Sequence, residues 1–486
     1  MDQQEQDIKK KAVTGAIWKF AERILAQTIS LFVSILIARL LDPSDYGVVS
    51  IVTVFFAFAN VIISGGLNTA LIQKKDADKE DYNTVFTVSM AIALTLYAVM
   101  FLAAPWIAKI YRQPLLTSII RVLGLALPIY ALKSIVCAYV SANLKFKMFF
   151  YATLGGTLTS AVVGVLMALK GFGAWALVAQ QLTNATIDTL ILFCVTRLKL
   201  SFQIAAARLR TLWKYGSRIM VSSLLGVAVA QVNPLFIGLK YTSADLSFYT
   251  KGRSIPETLS TSMTYTISSV LFPVLARYQD DKERLLQYTR LYMSVASFVV
   301  FPVMLGFCAV ARNFVDIFLT EKWLPAVYYI QIVCISSMFD IVAAGNCETI
   351  KAMGRSDIFL KIEIAKKSGY MITLALFLLL SNSPQILAIS MLVCTVIQVV
   401  INSIPNVKLI GYKVRHQLAD LLPNLVLSLI MCGSVIAMGY LPVTPIIGLV
   451  IQIATGVGIY VLLAFITRNR SMRHLIATIK NRKHLS

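Results

Sequence analysis

Charge is in short supply along these 486 residues: Asp, Glu, Lys and Arg together make up 14%, against about 25% in an ordinary soluble domain. Acidic groups are the scarcer kind, 23 against 45 Lys and Arg, and there are three histidines. The seven cysteines (Cys137, Cys194, Cys308, Cys334, Cys347, Cys394 and Cys432) stand singly inside apolar stretches, so neither a disulfide framework nor a thiolate metal site is expected. No Gly-rich phosphate loop of the Walker type occurs, which argues against direct use of ATP. No metal and no cofactor are expected. Long polar stretches are missing too, so little remains from which to build a separate soluble domain.

Apolar residues are what the chain has in excess: 58%, where about 45–50% is usual. A water-soluble protein is thereby excluded. A spanning helix uses about 20 apolar residues, and fourteen such stretches can be placed, near 14–41, 47–72, 84–109, 115–141, 150–169, 173–196, 217–239, 254–276, 288–311, 325–350, 361–380, 385–407, 419–440 and 444–467. They lack the roughly ten-residue alternation of barrel strands, so helix is the form in which their backbone can satisfy itself in lipid. The expected fold class is an all-α integral membrane protein with about fourteen transmembrane helices. Residues 1–11 are polar and run into a first apolar stretch too long for the core of a signal peptide, so no cleavage is expected.

An excess of 22 cations in a soluble chain would suggest nucleic acid. Here the cations fall in short clusters between apolar stretches, which reads as membrane topology, and no nucleic-acid partner is expected. With alternate loops assigned to opposite sides, the side carrying both termini collects 32 of the 45 Lys and Arg and the other collects 9. Lys19, Arg23, Arg121 and Lys133 lie inside helices. By the positive-inside rule both termini are cytoplasmic. One missed helix would scramble the alternation, so the bias also checks the count of fourteen.

The halves repeat. Residues 37–46 close the first helix and, 200 positions on, residues 237–246 close the seventh, each with a basic residue and an Asp: Arg39 and Asp45 against Lys240 and Asp245. One helix further, Asp78-Lys79-Glu80 corresponds to Asp281-Lys282-Glu283 at an offset of 203. Six helices is an even number, so the two copies run in the same direction, as a parallel repeat. The expected organisation is an N-terminal lobe at 1–200 (helices one to six), a basic cytoplasmic linker at 201–216, a C-terminal lobe at 217–410 (helices seven to twelve), and two further helices with a basic cytoplasmic tail at 411–486. Such a plan puts a cavity between lobes, opened to either side by rocking. The basic segment 197–218, interspersed with Phe202, Ile204, Leu209, Leu212 and Trp213, reads as a surface helix resting on anionic lipid or as a solvated linker.

Residues 37–73, with Ala38-Arg39-Leu40-Leu41-Asp42-Pro43-Ser44-Asp45-Tyr46-Gly47 near the start and Gly66-Leu67-Asn68-Thr69-Ala70-Leu71-Ile72-Gln73 at the close, resemble bacterial polysaccharide exporters. So do Tyr249-Thr250-Lys251-Gly252-Arg253-Ser254-Ile255-Pro256, Leu271-Phe272-Pro273-Val274-Leu275 and Glu321-Lys322-Trp323. In their order along roughly residues 14–410, these stretches are similar to Wzx-like and teichuronic-acid-type flippases of the polysaccharide transport family. That family sits in the exporter superfamily that includes the multidrug and toxin extruders. The resemblance implies a flippase, not an enzyme. It would move undecaprenyl-diphosphate-linked oligosaccharide from the inner to the outer leaflet of the bacterial cytoplasmic membrane by alternating access, driven by an ion gradient or the membrane potential. Membrane lipids and a polysaccharide polymerase or other assembly proteins are the partners it implies. Members of the family often carry an Asp late in the seventh helix; this chain has Gln231-Val232-Asn233-Pro234 there, a departure that bears on ion coupling at that position.

Ionisable groups at membrane depth are costly, and each is a functional candidate. For the diphosphate the candidates are Lys19 and Arg23, one turn apart on the first helix, Lys133 midway along the fourth, Arg121 nearer its end, and Lys251 and Arg253 opening the eighth. The related lipid II flippases likewise concentrate cations on their first and eighth helices. The alternative for Lys19, Arg23, Lys251 and Arg253 is snorkelling to the interface. Asp188, Asp340, Glu348 and Glu22 are candidates for ion coupling, with structural pairing to Lys or Arg as the alternative. Asn60, Gln180, Asn184 and Gln398 read as interhelical glue. Gly65-Gly66, Gly155-Gly156, Pro234, Pro302 and Pro405 are candidate hinges or close-packing points. Two rival functions remain: a multidrug or toxin extrusion cation antiporter of the same fold, and an envelope glycan polymerase or ligase. The latter generally needs a sizeable outer loop, and the longest outer segment here has about a dozen residues.

Overall fold

Apolar stretches of this length close their hydrogen bonds internally, and the computed structural model has no β-strand among the described residues. These are 3–64, 66–74, 76–380 and 383–473, without the side chains of 3–13, 16, 17, 20, 269, 270 and 380. The first crossing is α1 (Gln3–Leu40) and the second is broken in two, α2 (Pro43–Ser64) and α3 (Leu67–Gln73). The third is α4 (Lys79–Ile110), and the fourth is again broken, into α5 (Leu115–Leu123) and α6 (Ala126–Ala142). Then follow α7 (Lys147–Leu169), α8 (Ala174–Thr196), α9 (Ala206–Lys240), α10 (Ser243–Arg277), α11 (Lys282–Phe318), α12 (Ala326–Ala352), α13 (Ser356–Leu380), α14 (Pro384–Leu409), α15 (Val414–Met438) and α16 (Pro445–Ile466). Thirteen of these crossings are long and apolar enough to span a bilayer. The fourteenth, α13, is interrupted by Lys361, Glu363, Lys366 and Lys367. The expected all-α membrane fold is therefore what forms, and each expected stretch lies in one crossing.

Several helices start well before the apolar stretches, α9 at Ala206 and α10 at Ser243, because apolar periodicity marks the buried length while the helix itself continues into polar sequence. The repeat is visible in the turns that join them. After α1, the Asp42 N–H donates to Asp45 (3.4 Å); after α9, the Thr242 N–H donates to Asp245 (3.1 Å). At the second matched pair, Asp78 caps α4 by accepting from the Asp81 N–H, and Asp281 caps α11 by accepting from the Arg284 N–H. A side-chain oxygen satisfies a helix-start N–H in each case.

The chain divides into two compact units, Met1–Ser247 and Phe248–Ser486. In the first, α7 and α8 lie along each other, α1 packs on α7, α6 on α4 and α8, and α9 on α2 and α3. Its core includes Leu71, Val85, Phe86, Ile135 and Leu212. The break between α2 and α3 lets α9 approach backbone to backbone: a Cβ on Gly66 would lie 2.2 Å from the Gly216 carbonyl oxygen. Gly65 lies outside the described residues. Pro234, Pro302 and Pro405 sit inside α9, α11 and α14.

The basic segment 197–218 is not a separate surface helix. Residues 198–205 are non-helical, and from Ala206 onward the chain is already α9. The strip is fastened to the start of α4: Asn83 donates to Ser201 (2.7 Å) and accepts from its N–H (3.0 Å). Thr87 accepts from the Gln203 N–H and Thr84 from the Ala205 N–H, both at 3.1 Å. Arg208 then spans Asp78 (2.5 Å) and Glu80 (2.6 Å), while Lys74 meets the fully buried Asp81 at 2.5 Å. Acidic residues at the N-terminus of α4 attract this cationic segment, and Leu212 is buried in the protein core. Part of the expected basic tail, 474–486, lies outside the described residues.

In the second unit α11 contacts α12, α15 and α16, and α14 packs on α12 and α13. Buried amides tie three helices together: Asn346 on α12 donates to Gln417 on α15 (3.1 Å) and Asn406 on α14 donates to Asn346 (2.7 Å). Arg290 forms a two-pronged pair with Asp420, both bonds 2.8 Å.

Candidate functional site

Four helices of the first unit contribute polar residues at membrane depth. On α1 these are Lys19, Glu22 and Ser30; on α6, Tyr130 and Lys133; on α7, Thr153, Thr157 and Ser160; on α8, Gln180, Gln181, Asn184 and Asp188. Spacings of three and four stack them along one side of each helix. Glycine sets how close α7 and α8 come: a Cβ on Gly156 would lie 2.8 Å from the Cβ of Asp188, and one on Gly164 would lie 3.0 Å from that of Gln180.

Within this seam Lys133 Nζ meets Asp188 Oδ2 at 2.5 Å, with the Asp188 side chain 7% exposed and Lys133 31% exposed. A carboxylate so buried is tolerable because the cation is there. A second pair lies at the α1 end: Lys19 donates to Glu22 (2.7 Å), whose other oxygen accepts from Thr153 (3.0 Å). Lys19 also sits 4.4 Å from the Phe149 ring centre, a cation–π contact. Both pairs lie within electrostatic reach of Cys137 on α6. Arg23, one turn beyond Lys19, is exposed.

Beside the Lys133–Asp188 pair opens a cavity of about 330 Å³, lined by Ser30, Val33, Tyr130, Thr157, Ser160, Gln180, Gln181 and Asn184. Tyr130 is one turn from Lys133, and Asn184 one turn from Asp188. Asn184 donates to Ser160 at 3.3 Å. Glue between helices, expected of Gln180 and Asn184, is thus seen for Asn184 alone of the two among the described residues.

Arg121 belongs to a different neighbourhood: it donates to the Phe101 carbonyl (3.5 Å) and stacks 4.4 Å over that ring. In the second unit, Arg253 pairs with Glu257 and donates to the Tyr249 hydroxyl (3.2 Å). Asp340 on α12 lies within electrostatic reach of that pair and of Lys366 on α13, and Lys366 itself pairs with Glu363. Lys251 is half-buried two residues before Arg253, and Glu348 pairs with Lys351 at 3.1 Å. Glu257 and Lys366 were not singled out from the sequence. The four-residue spacing from Arg253 to Glu257 signals the first; Lys366 is counted with the loop cations, although it lies ten residues into α13, which begins at Ser356. Among the described residues no cluster of three His, Cys, Asp or Glu is placed to hold a metal.

The fold is similar to that of the lipid II flippase MurJ in its inward closed conformation, with a TM-score of 0.73, 15% identity, and coverage of 96% of this chain and 100% of that one. In sequence the chain is 23% identical to the lipopolysaccharide biosynthesis protein WzxC of Escherichia coli (strain K12), over 74% of this chain and 73% of that protein. It is 24% identical to the succinoglycan biosynthesis transport protein ExoT of Rhizobium meliloti (strain 1021), over 59% and 58%. Residues 36–328, more than half of the chain, match the family described as polysaccharide biosynthesis protein, and the protein belongs to that family.

Proposed function

We propose that this protein is a flippase that carries undecaprenyl-diphosphate-linked oligosaccharide from the inner to the outer leaflet of the bacterial cytoplasmic membrane by alternating access, with both termini in the cytoplasm. The family, the likeness to the succinoglycan biosynthesis transport protein ExoT and the likeness in fold to a lipid flippase support this reading. So does the bias of Lys and Arg toward alternate loops. The work is relocation of a lipid and involves no bond-breaking chemistry, hence no catalytic residue. A polysaccharide polymerase or other assembly protein would receive the cargo.

The observation that carries the reading is the Lys133–Asp188 pair beside a polar cavity. A diphosphate is multiply anionic, and a cation held at depth lowers the barrier to bringing it there. Lys133 can exchange its carboxylate partner for the diphosphate, aided by Lys19 and Arg23 on α1. Lys251 and Arg253, on α10 of the second unit, and Arg121 on α5 are separate candidates for binding a diphosphate. The exchange leaves Asp188 without its cation, the moment at which a coupling ion would be taken up; Asp340, Glu348 and Glu22 are the other carboxylates offered for coupling.

The test is a leaflet-accessibility assay of the lipid-linked oligosaccharide in cells carrying Lys19→Ala, Arg23→Ala or Lys133→Ala. Lys133→Ala is expected to lower outer-leaflet substrate several-fold. Normal surface glycan in all three strains would refute the assigned cations.

A further inference from the structure

The cavity on α1, α6, α7 and α8 differs from the rest of the seam in carrying no charge. Seven of its eight lining residues present a hydroxyl or an amide: Ser30, Tyr130, Thr157, Ser160, Gln180, Gln181 and Asn184, with Val33 the exception. We propose that it is the glycan subsite of the flippase, where the first sugar of the lipid-linked oligosaccharide is held while Lys133 holds the diphosphate. This deepens the flippase reading and rests on it.

Three observations support a neutral, hydrogen-bonding occupant. First, polar side chains at membrane depth are expensive unless they are paired or serve a ligand, and among the described residues the amides of Gln180 and Gln181 make no hydrogen bond within the protein. Second, none of the eight lining residues is charged, so the cavity wall itself offers no carboxylate to a metal cation. Third, amides and hydroxyls both donate and accept, as sugar hydroxyls do, and the Tyr130 ring supplies a flat apolar face to the carbon side of a pyranose. The volume, about 330 Å³, is at the lower end of small-molecule pockets and suits one sugar unit. Tyr130 stands one turn from Lys133, so sugar and diphosphate would occupy neighbouring places, as they do in the substrate.

The test compares affinities of purified protein for undecaprenyl diphosphate and for the same lipid carrying glucose, galactose or N-acetylglucosamine, read by ligand-induced thermal shift. The wild type is expected to bind at least one glycosylated lipid more tightly than the bare one. Gln181→Met, near-isosteric and without an internal partner to lose, should reduce that preference about fivefold, and Gln180→Met with Gln181→Met further, while affinity for bare undecaprenyl diphosphate stays unchanged. Asn184→Leu should act in the same direction. A preference untouched by the two glutamine substitutions would overturn the subsite and leave the flippase reading standing. Equal affinity of the wild type for all four lipids would also overturn the subsite, and binding of none of them would overturn both.

Discussion

Replacing Lys133 with Met would strand the Asp188 carboxylate among α6, α7 and α8. Breaking a fully buried ion pair costs about 3–5 kcal/mol, and because Lys133 keeps some exposure the expected loss is lower, on the order of 2 kcal/mol. Lys133→Met combined with Asp188→Leu removes both charges and should recover most of the lost thermal stability. Thermal midpoints of the two single variants and the double variant in detergent decide this; strictly additive losses would mean that the two groups do not act as a pair. At this scale the sequence was informative about depth and silent about partners. Midway placement on the fourth helix marked Lys133 as a functional candidate for the diphosphate. That its partner is Asp188, 55 positions away, follows from the packing of α6 on α8, which no local pattern encodes. Arg121, equally visible as an intrahelical cation, is satisfied instead by Phe101.

The start of α4 gathers Asp78, Glu80 and Asp81, which hold Lys74 and Arg208. The Arg208 guanidinium, with the Asp81 N–H behind it, keeps the Asp78 carboxyl well below its ordinary value of 3.8. In the first turn of α13, hydrogen bonding from Arg355 brings Asp357 down to about 2. Because the folded state favours the ionised forms, their contribution to stability is present above about pH 4 and fades as the pH falls through the native values. Melting of the purified protein should therefore weaken as the pH falls from about 4 toward 2, and Asp78→Asn should flatten that slope. An unchanged slope would show that other carboxylates set it. Segment 197–218 also shows where sequence patterning misleads. Scattered cations and apolar residues suggest an amphipathic surface helix, yet the side chains of Asn83, Thr84 and Thr87 take the place of a helical hydrogen-bond ladder for 201–205.

Over the whole molecule, fourteen crossings were legible because bilayer thickness writes itself into hydropathy, and the repeat because its matched turns are closed and capped by corresponding Asp residues. Helix ends were legible only to about ten residues, as α1, α9 and α10 show, since nothing apolar marks a helix that runs on into water. Both breaks, at Gly66 and Gly124, depend on neighbours for their meaning. Orientation is open to direct measurement. Alkaline phosphatase fused after Lys170 should be active, and fused after Lys145 inactive, if both termini are cytoplasmic; the reverse result would invert the topology. The fastening of residues 201–205 onto α4 has a practical corollary for anyone labelling this protein. That connection is zipped rather than slack, so an epitope or fluorophore spliced into it would have to unpick several bonds. The short exposed bend at 440–443 between α15 and α16 is the more forgiving place to graft one.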